Sequence, residues 1–251
     1  MNLAGLLNGK TAFVTGGAAG LGFAIVTAFA AAGARGTAFD REPPKQALPE
    51  GWRFSAGDVR QEASIAEAFA GLKKDHSGLD LLVANAGSAP AWRESESADL
   101  DEWDEAFAVN ARGVMATIKH AIALMKSRGG SIIVMASVNA LIGHPRQAAY
   151  VASKHAALGI ARSAAHDLGR YNIRVNALCP GPIATEALLE RLHKRAQGGG
   201  PSQKETMQRY SQTALGRIAT AQEVAHAAVF LVSDLSSGIT GQAMTVDAGA
   251  N

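Results

Sequence analysis

Tyr150 and Lys154 stand four residues apart, and Ser137 lies 13 residues before Tyr150. On a helix, a spacing of four puts two side chains on one face, aimed at the same volume. A phenol there can pass a proton to or from a reacting oxygen. Because it titrates near 10, a phenolate at neutral pH needs nearby positive charge, such as a lysine ammonium. A depression of roughly two to three pH units is within reach of close charges in a dry crevice. A serine hydroxyl would donate a second hydrogen bond to the same oxygen. With three tyrosines and nine lysines, such a pair arises by chance in about one chain in ten, so its meaning depends on its surroundings.

A second group of residues suits a phosphate. Thr15-Gly16-Gly17-Ala18-Ala19-Gly20-Leu21-Gly22 follows an apolar run and opens an alanine-rich one. Gly16, Gly20 and Gly22 would let the backbone approach a pyrophosphate, and a helix beginning at Gly20 would aim free N–H groups and its dipole at the anion. The spacing is Gly-x-x-x-Gly-x-Gly, and a tight strand-to-helix packing turn uses the same residues. Gly9-Lys10-Thr11 resembles the end of an NTPase phosphate loop. That motif needs a glycine where Ala4 stands and should follow a strand, not precede one, so an NTPase is excluded. Asp40, 18 residues beyond Gly22, is placed to accept from an adenosine ribose and to repel a 2′-phosphate. That favours NAD over NADP, although Arg41 beside it could pair with a phosphate.

These groups need a scaffold. Apolar runs at Thr11 to Thr15, Thr37 to Asp40, Trp52 to Ser55, Leu79 to Ala84, Ser131 to Ala136, Ile173 to Leu178 and Ala243 to Val246 read as strands. Helical spacing recurs at Gly20 to Ala32, Glu62 to Lys74, Leu100 to Met125, Ala149 to Leu168 and Ala221 to Leu231. The alternation predicts an α/β fold: a single doubly wound parallel sheet of about seven strands with helices on both faces. A length of 251 residues fits one domain spanning 1–251. The polar segment from about Glu186 to Gly216, with Gly198, Gly199, Gly200 and Pro201, interrupts the pattern and reads as a lid or a disordered loop. Ser137 falls at the end of the fifth strand, where an open sheet binds its ligand.

In this order, Thr15 to Gly22, Asn85-Ala86-Gly87, Asn110, Ser137, Tyr150-x-x-x-Lys154 and Pro180-Gly181 resemble the short-chain dehydrogenase/reductase family over nearly the whole chain. The resemblance implies a Rossmann-type domain, a nicotinamide cofactor and a homotetramer. It implies that Tyr150 is the acid/base, that Ser137 polarises the substrate oxygen, that Lys154 holds the nicotinamide ribose and that Asn110 supports a relay water. It further implies adenine contacts at Asp58 and Val59, a contact beneath the ribose at Asn85 to Gly87, and carboxamide contacts at Ile183 and Thr185. Two departures from the family pattern are Ala84, where a second Asn is frequent, and Asp247-Ala248-Gly249 in place of Asp-Gly-Gly. The second bears on close backbone packing near subunit contacts.

Composition narrows the partners. Twenty-four basic and 22 acidic residues are interspersed, and aromatic content is 6%, which argues against a nucleic-acid or anionic-membrane surface. One cysteine, Cys179, allows no internal disulfide, and the seven histidines show no metal-site spacing. No run of roughly 20 apolar residues and no leader pattern is visible, so a cytoplasmic protein is expected. The partner expected is a small-molecule alcohol or ketone. Three other readings stay open: an NADP-dependent ketoreductase, including oxoacyl-carrier reductases; a dinucleotide-binding sensor without turnover; and an epimerase or dehydratase of the longer relatives. The substrate walls are placed at Ser88 to Arg93, Asn139, His144, Gln147 and the lid, with Arg93 or His144 as candidates for an anionic group.

Overall fold

The computed structural model describes Leu3–Ala250. Seven parallel strands form one sheet in the order β3-β2-β1-β4-β5-β6-β7. They are β1 (Thr11–Thr15), β2 (Arg35–Asp40), β3 (Trp52–Ala56), β4 (Leu81–Ala84), β5 (Gly130–Met135), β6 (Ile173–Pro180) and β7 (Ala243–Val246). The central strands are buried on both faces, which is why they read as continuous apolar runs. Strand order reverses between β1 and β4, which pair from Ala12 opposite Leu81 to Val14 opposite Val83. A crevice opens at the carboxyl ends of strands at such a reversal.

Helices cover both faces. One core holds Phe13, Phe69, Leu82, Ile118, Ile132 and Leu158, under α2 (Glu62–Asp75), α4 (Val114–Met125) and α5 (Ala148–Leu168). The opposite core holds Val14, Ile25, Phe29, Ile133 and Val229, under α1 (Gly20–Ala31) and α8 (Ala221–Val232). Among the described residues no helix is long and apolar enough to cross a membrane.

Three expectations change. The helix expected over Leu100 to Met125 is α3 (Leu100–Phe107) and α4, joined by a π-helical turn, Ala108–Gly113, that contains Asn110. Gly113 passes so near Val59 that a Cβ would lie 3.0 Å from its side chain. Strand β6 runs through Pro180, which pairs with Val246, two residues beyond the expected end.

The segment from Glu186 to Gly216 is not an irregular loop. It forms α6 (Glu186–Gln197) and α7 (Gln203–Tyr210). Thr185 caps α6, and a capping box of Ser202 and Glu205 starts α7. The helices bury only Leu192 and Thr206, and Ala187 and Leu188 of α6 face the cavity instead of the core.

Candidate active site

The first turn of α1 is unfinished. Its N-cap, Ala19, has no side-chain acceptor, and no acid stands in the first turn. Its N–H groups and dipole therefore meet the crevice uncapped. Gly16 and Gly20 take φ values of +63° and +52°, which glycine adopts freely. Thr15 and Asn85 lock the turn to β4. The Thr15 hydroxyl oxygen accepts from the N–H groups of Asn85 (2.9 Å) and Ala86 (3.0 Å), and the Asn85 amide donates to the carbonyls of Thr15 and Gly16. The Ala18 N–H donates to the Asp40 carboxylate at 3.1 Å, which ties the end of β2 to the same turn.

From this turn a cavity of about 720 Å³ runs past Asp40, Arg41, Asp58 and Val59 at one end and to Ser137, Tyr150 and Lys154 at the other. Leu21, Gly22, Ala86, Gly87, Pro180, Gly181, Ile183 and Thr185 line it between. Uncapped N–H groups, close glycines and a carboxylate beyond them fit a nicotinamide dinucleotide, whose pyrophosphate, ribose and nicotinamide would meet these residues in turn. Asp58 is itself engaged by Arg60, whose guanidinium holds its carboxyl below the usual range. Among the described residues no cluster of His, Cys, Asp or Glu is placed to hold a metal ion.

At the far end, β5 delivers Ser137 and α5 delivers Tyr150 and Lys154. The Ser137 hydroxyl oxygen accepts from the Asn139 N–H at 3.2 Å. The Lys154 ammonium donates to the Met135 carbonyl at 2.8 Å and stands 5.9 Å from the centre of the Tyr150 ring. Burial lowers the Lys154 pKa to about 8. The Tyr150 phenol is raised, not depressed: desolvation outweighs its hydrogen bond with Ser137 and the charge of Arg191.

Asn110 does not line the cavity. It lies buried behind Gly87, where a Cβ would stand 3.3 Å from both the Asn110 amide oxygen and the Lys154 nitrogen. Its oxygen accepts from the Ser88 N–H, and its nitrogen donates to the Ser88 carbonyl and the Ser153 hydroxyl, at 2.8 to 2.9 Å. It thereby fixes the loop after β4 against α5.

Asn139, His144 and Gln147 reach the cavity. Arg93 does not; it pairs with Glu102 at 2.9 Å and Asp99 at 3.7 Å outside it. From the segment expected to supply a substrate wall, Arg191 and Tyr210 line the cavity; Lys45, which no spacing marks, lines it too. Arg191 follows Ala187 and Leu188 on one face of α6, a pattern visible only once the segment is known to be helical.

A family description of enoyl-(acyl carrier protein) reductase matches residues 16–251. The chain is 36% identical over 258 residues to short-chain dehydrogenase reductase 4 of Arabidopsis thaliana, covering 97% of this chain and 83% of that one. It is 33% identical to 2-(S)-hydroxypropyl-CoM dehydrogenase 3 of Xanthobacter autotrophicus, covering 97% of each. The structure of the aldohexose dehydrogenase of Thermoplasma acidophilum superposes with a TM-score of 0.89 at 31% identity, over 98% of this chain and 95% of that one. With the strand order, the glycine turn and the Ser137, Tyr150, Lys154 arrangement, these matches show that the chain is an oxidoreductase of the short-chain dehydrogenase/reductase family.

Proposed function

We propose that the chain interconverts a secondary alcohol and a ketone with NAD(H), with Tyr150 as acid/base. The observation that supports this most is the convergence of Tyr150, Ser137 and Lys154 at one end of a cavity whose other end carries the glycine turn and Asp40. The dinucleotide, when bound, supplies or accepts the hydride.

In the reducing direction Tyr150, a neutral phenol at pH 7, donates a proton to the oxygen that becomes the hydroxyl. Ser137 accepts from Asn139 and is hydrogen-bonded to the Tyr150 phenol, so its O–H stands where it would turn to donate to the same substrate oxygen. Lys154, anchored on the Met135 carbonyl by one N–H, keeps its other N–H groups, which would hold the nicotinamide ribose. Asn110 supports a relay water. Both of its side-chain donors are used and it lies outside the cavity wall, so that support would fall to the backbone of the widened turn. In the oxidising direction Tyr150 must give up its proton, and the raised phenol makes that direction favour alkaline pH.

NAD is the proposed cofactor because the Asp40 carboxylate, held by the N–H groups of Ala18 and Arg41, would repel a 2′-phosphate. The reading also carries a homotetramer and a cytoplasmic location, as the family resemblance implies. The test is a panel of ketones with NADH and NADPH, followed by nicotinamide absorbance, with Tyr150→Phe alongside. Turnover is expected to be faster with NADH. In the variant kcat is expected to fall about a thousandfold while NADH binding, read by fluorescence, persists. Turnover retained in the variant overturns the mechanism, and tighter binding of NADPH overturns the cofactor.

A further inference from the structure

Arg191 is a half-buried cation in the cavity wall with no carboxylate partner among the described residues. The acids that line the same cavity are all engaged elsewhere. Asp40 accepts from backbone N–H groups, Asp58 and Glu105 hold Arg60, Glu186 holds Lys45, and Glu190 holds Lys194. Arg41 lacks an acid as well, but it is exposed and lies at the Asp40 end. Arg191 is on the Tyr150 side, near enough for its charge to be felt by the phenols of Tyr150 and Tyr210.

Its surroundings orient it. The guanidinium carbon lies 4.4 Å from the centre of the Trp92 ring, and Arg195, one turn on, lies 4.9 Å from the same ring. The ring face holds the guanidinium in the wall without taking up its N–H groups, which are left for a bidentate oxyanion. The Trp92 indole N–H is buried in the same wall without an acceptor. A partly desolvated cation and an unpaired donor, side by side, both cost stability until an acceptor arrives.

We infer that Arg191 and Trp92 form a subsite for an oxyanion group of the substrate, so that the alcohols and ketones turned over carry a carboxylate or a phosphate-like group. This rests on the oxidoreductase reading of the same cavity. The subsite belongs to α6 and the loop after β4, and Arg191 itself passes no proton, so its effect on specificity is read from the ratio of anion to ester, which a general change in the Tyr150 phenol would not move.

The test compares acetoacetate with methyl acetoacetate, and 2-oxopropylphosphonate with its dimethyl ester, as substrates with NADH. In the wild type kcat/KM for the anion is expected to exceed that for the ester by about tenfold or more in at least one pair. In Arg191→Met that ratio is expected to collapse by about tenfold, and Arg191→Lys is expected to keep part of it, since a lysine retains the charge without the fork. Preference for the ester in both pairs, or an unchanged ratio in Arg191→Met, overturns the subsite. A loss of NADH affinity matching the loss with the anions would assign Arg191 to the dinucleotide and overturn it too.

If no ketone is reduced, the proposed alcohol–ketone reading fails separately. Calorimetric titration of malonate and of methylphosphonate, in the presence of NAD, then decides the subsite. Saturable binding lost in Arg191→Met supports it; no binding, or binding equal in both proteins, overturns it.

Discussion

Helices α1 and α6 both begin at the rim of the cavity, and their first turns are finished in opposite ways. Helix α1 starts at Ala19, which offers no side-chain acceptor. At α6 the Thr185 hydroxyl accepts from the Leu188 N–H at 3.3 Å, and Glu186 complements the dipole. The first helix keeps its backbone donors for a ligand; the second has used one of them on itself and offers side chains instead. The same contrast holds for what secures each wall. The α1 wall rests on buried or half-buried hydrogen bonds among Thr15, Gly16 and Asn85. The α6 wall is held by exposed ion pairs, Lys45 with Glu186 and Lys194 with Glu190. Exposed pairs contribute little to stability and can be exchanged at little cost. One wall is built to keep its shape, and the other to change its side chains over a fixed frame.

A glycine substitution on each wall is the harshest way to break this comparison. A Cβ at Gly22 would stand 1.9 Å from the Gly16 carbonyl oxygen and 2.7 Å from the Asn85 amide nitrogen. Neither is the end of a flexible chain, so the turn must be rebuilt. Gly22→Ala is expected to lose about 2–4 kcal/mol in chemical denaturation and to weaken NADH binding about thirtyfold or more. At Gly198 the same atom would meet only the carbonyls of Arg195 and Lys194, at 3.6 and 3.8 Å, and φ is −84°. Gly198→Ala is expected to leave the melting temperature within about two degrees of wild type. Equal sensitivity at the two positions would end the distinction between a rigid wall and an adaptable one.

The cost of function on the rigid side should be measurable at Lys154. Its folded pKa of about 8 lies below the 10.5 of the free side chain, so burial of the ammonium opposes folding. Below pH 8 the lysine is protonated in both states and the penalty is present in full. Between about 8 and 10.5 the unfolded chain binds more protons, so wild-type stability rises with pH relative to a chain without the group. Lys154→Met leaves the Met135 carbonyl without its donor, which offsets part of the gain. The variant is expected to be inactive yet about 1–2 kcal/mol more stable at pH 7, with the advantage shrinking at pH 9 to 10. A variant less stable than wild type at pH 7 would mean that the ammonium is better solvated than its burial implies.

Much of the rigid wall is legible in sequence because its signals are local. The glycine turn follows an apolar run, Tyr150 and Lys154 share a helix face, and Ser137 ends a strand; each is a statement about neighbours in the chain. What escapes is non-local or off-period. The π-helical turn at Ala108–Gly113 keeps the composition of a helix while shifting Asn110 on its face. Helices α6 and α7 bury one residue each and their polar composition hides them, although Leu188, Leu192 and Ala196 keep helical spacing and Ser202 and Glu205 are a capping box in plain view. The raised Tyr150 phenol follows from desolvation, which no spacing encodes. Arg191 matters for the carboxylate it lacks, and a missing partner is visible only in three dimensions.

The smallest effect concerns the junction between the two walls. The end of the segment that carries α6 and α7 is pinned to the C-terminal stretch, where the N–H groups of Ala214 and Leu215 donate to the carbonyls of Gly249 and Ala248 at 3.0 and 3.1 Å. Ala248 takes φ +59°, a left-handed conformation that costs a side-chain-bearing residue roughly 1–2 kcal/mol. The frequent family pattern has glycine there, so the departure noted in the sequence acts through backbone strain. Glycine relieves the strain but loses more conformational entropy on folding, which returns part of the gain. Ala248→Gly is therefore expected to raise stability by only about 0.5–1 kcal/mol, read as a small upward shift of the denaturation midpoint. The change should also slow hydrogen exchange at Ala214 and Leu215, because the donors that pin the segment would face an unstrained acceptor. A destabilised variant would show that Ala248 is kept for contacts of its methyl group and that the α6–α7 segment is anchored without strain.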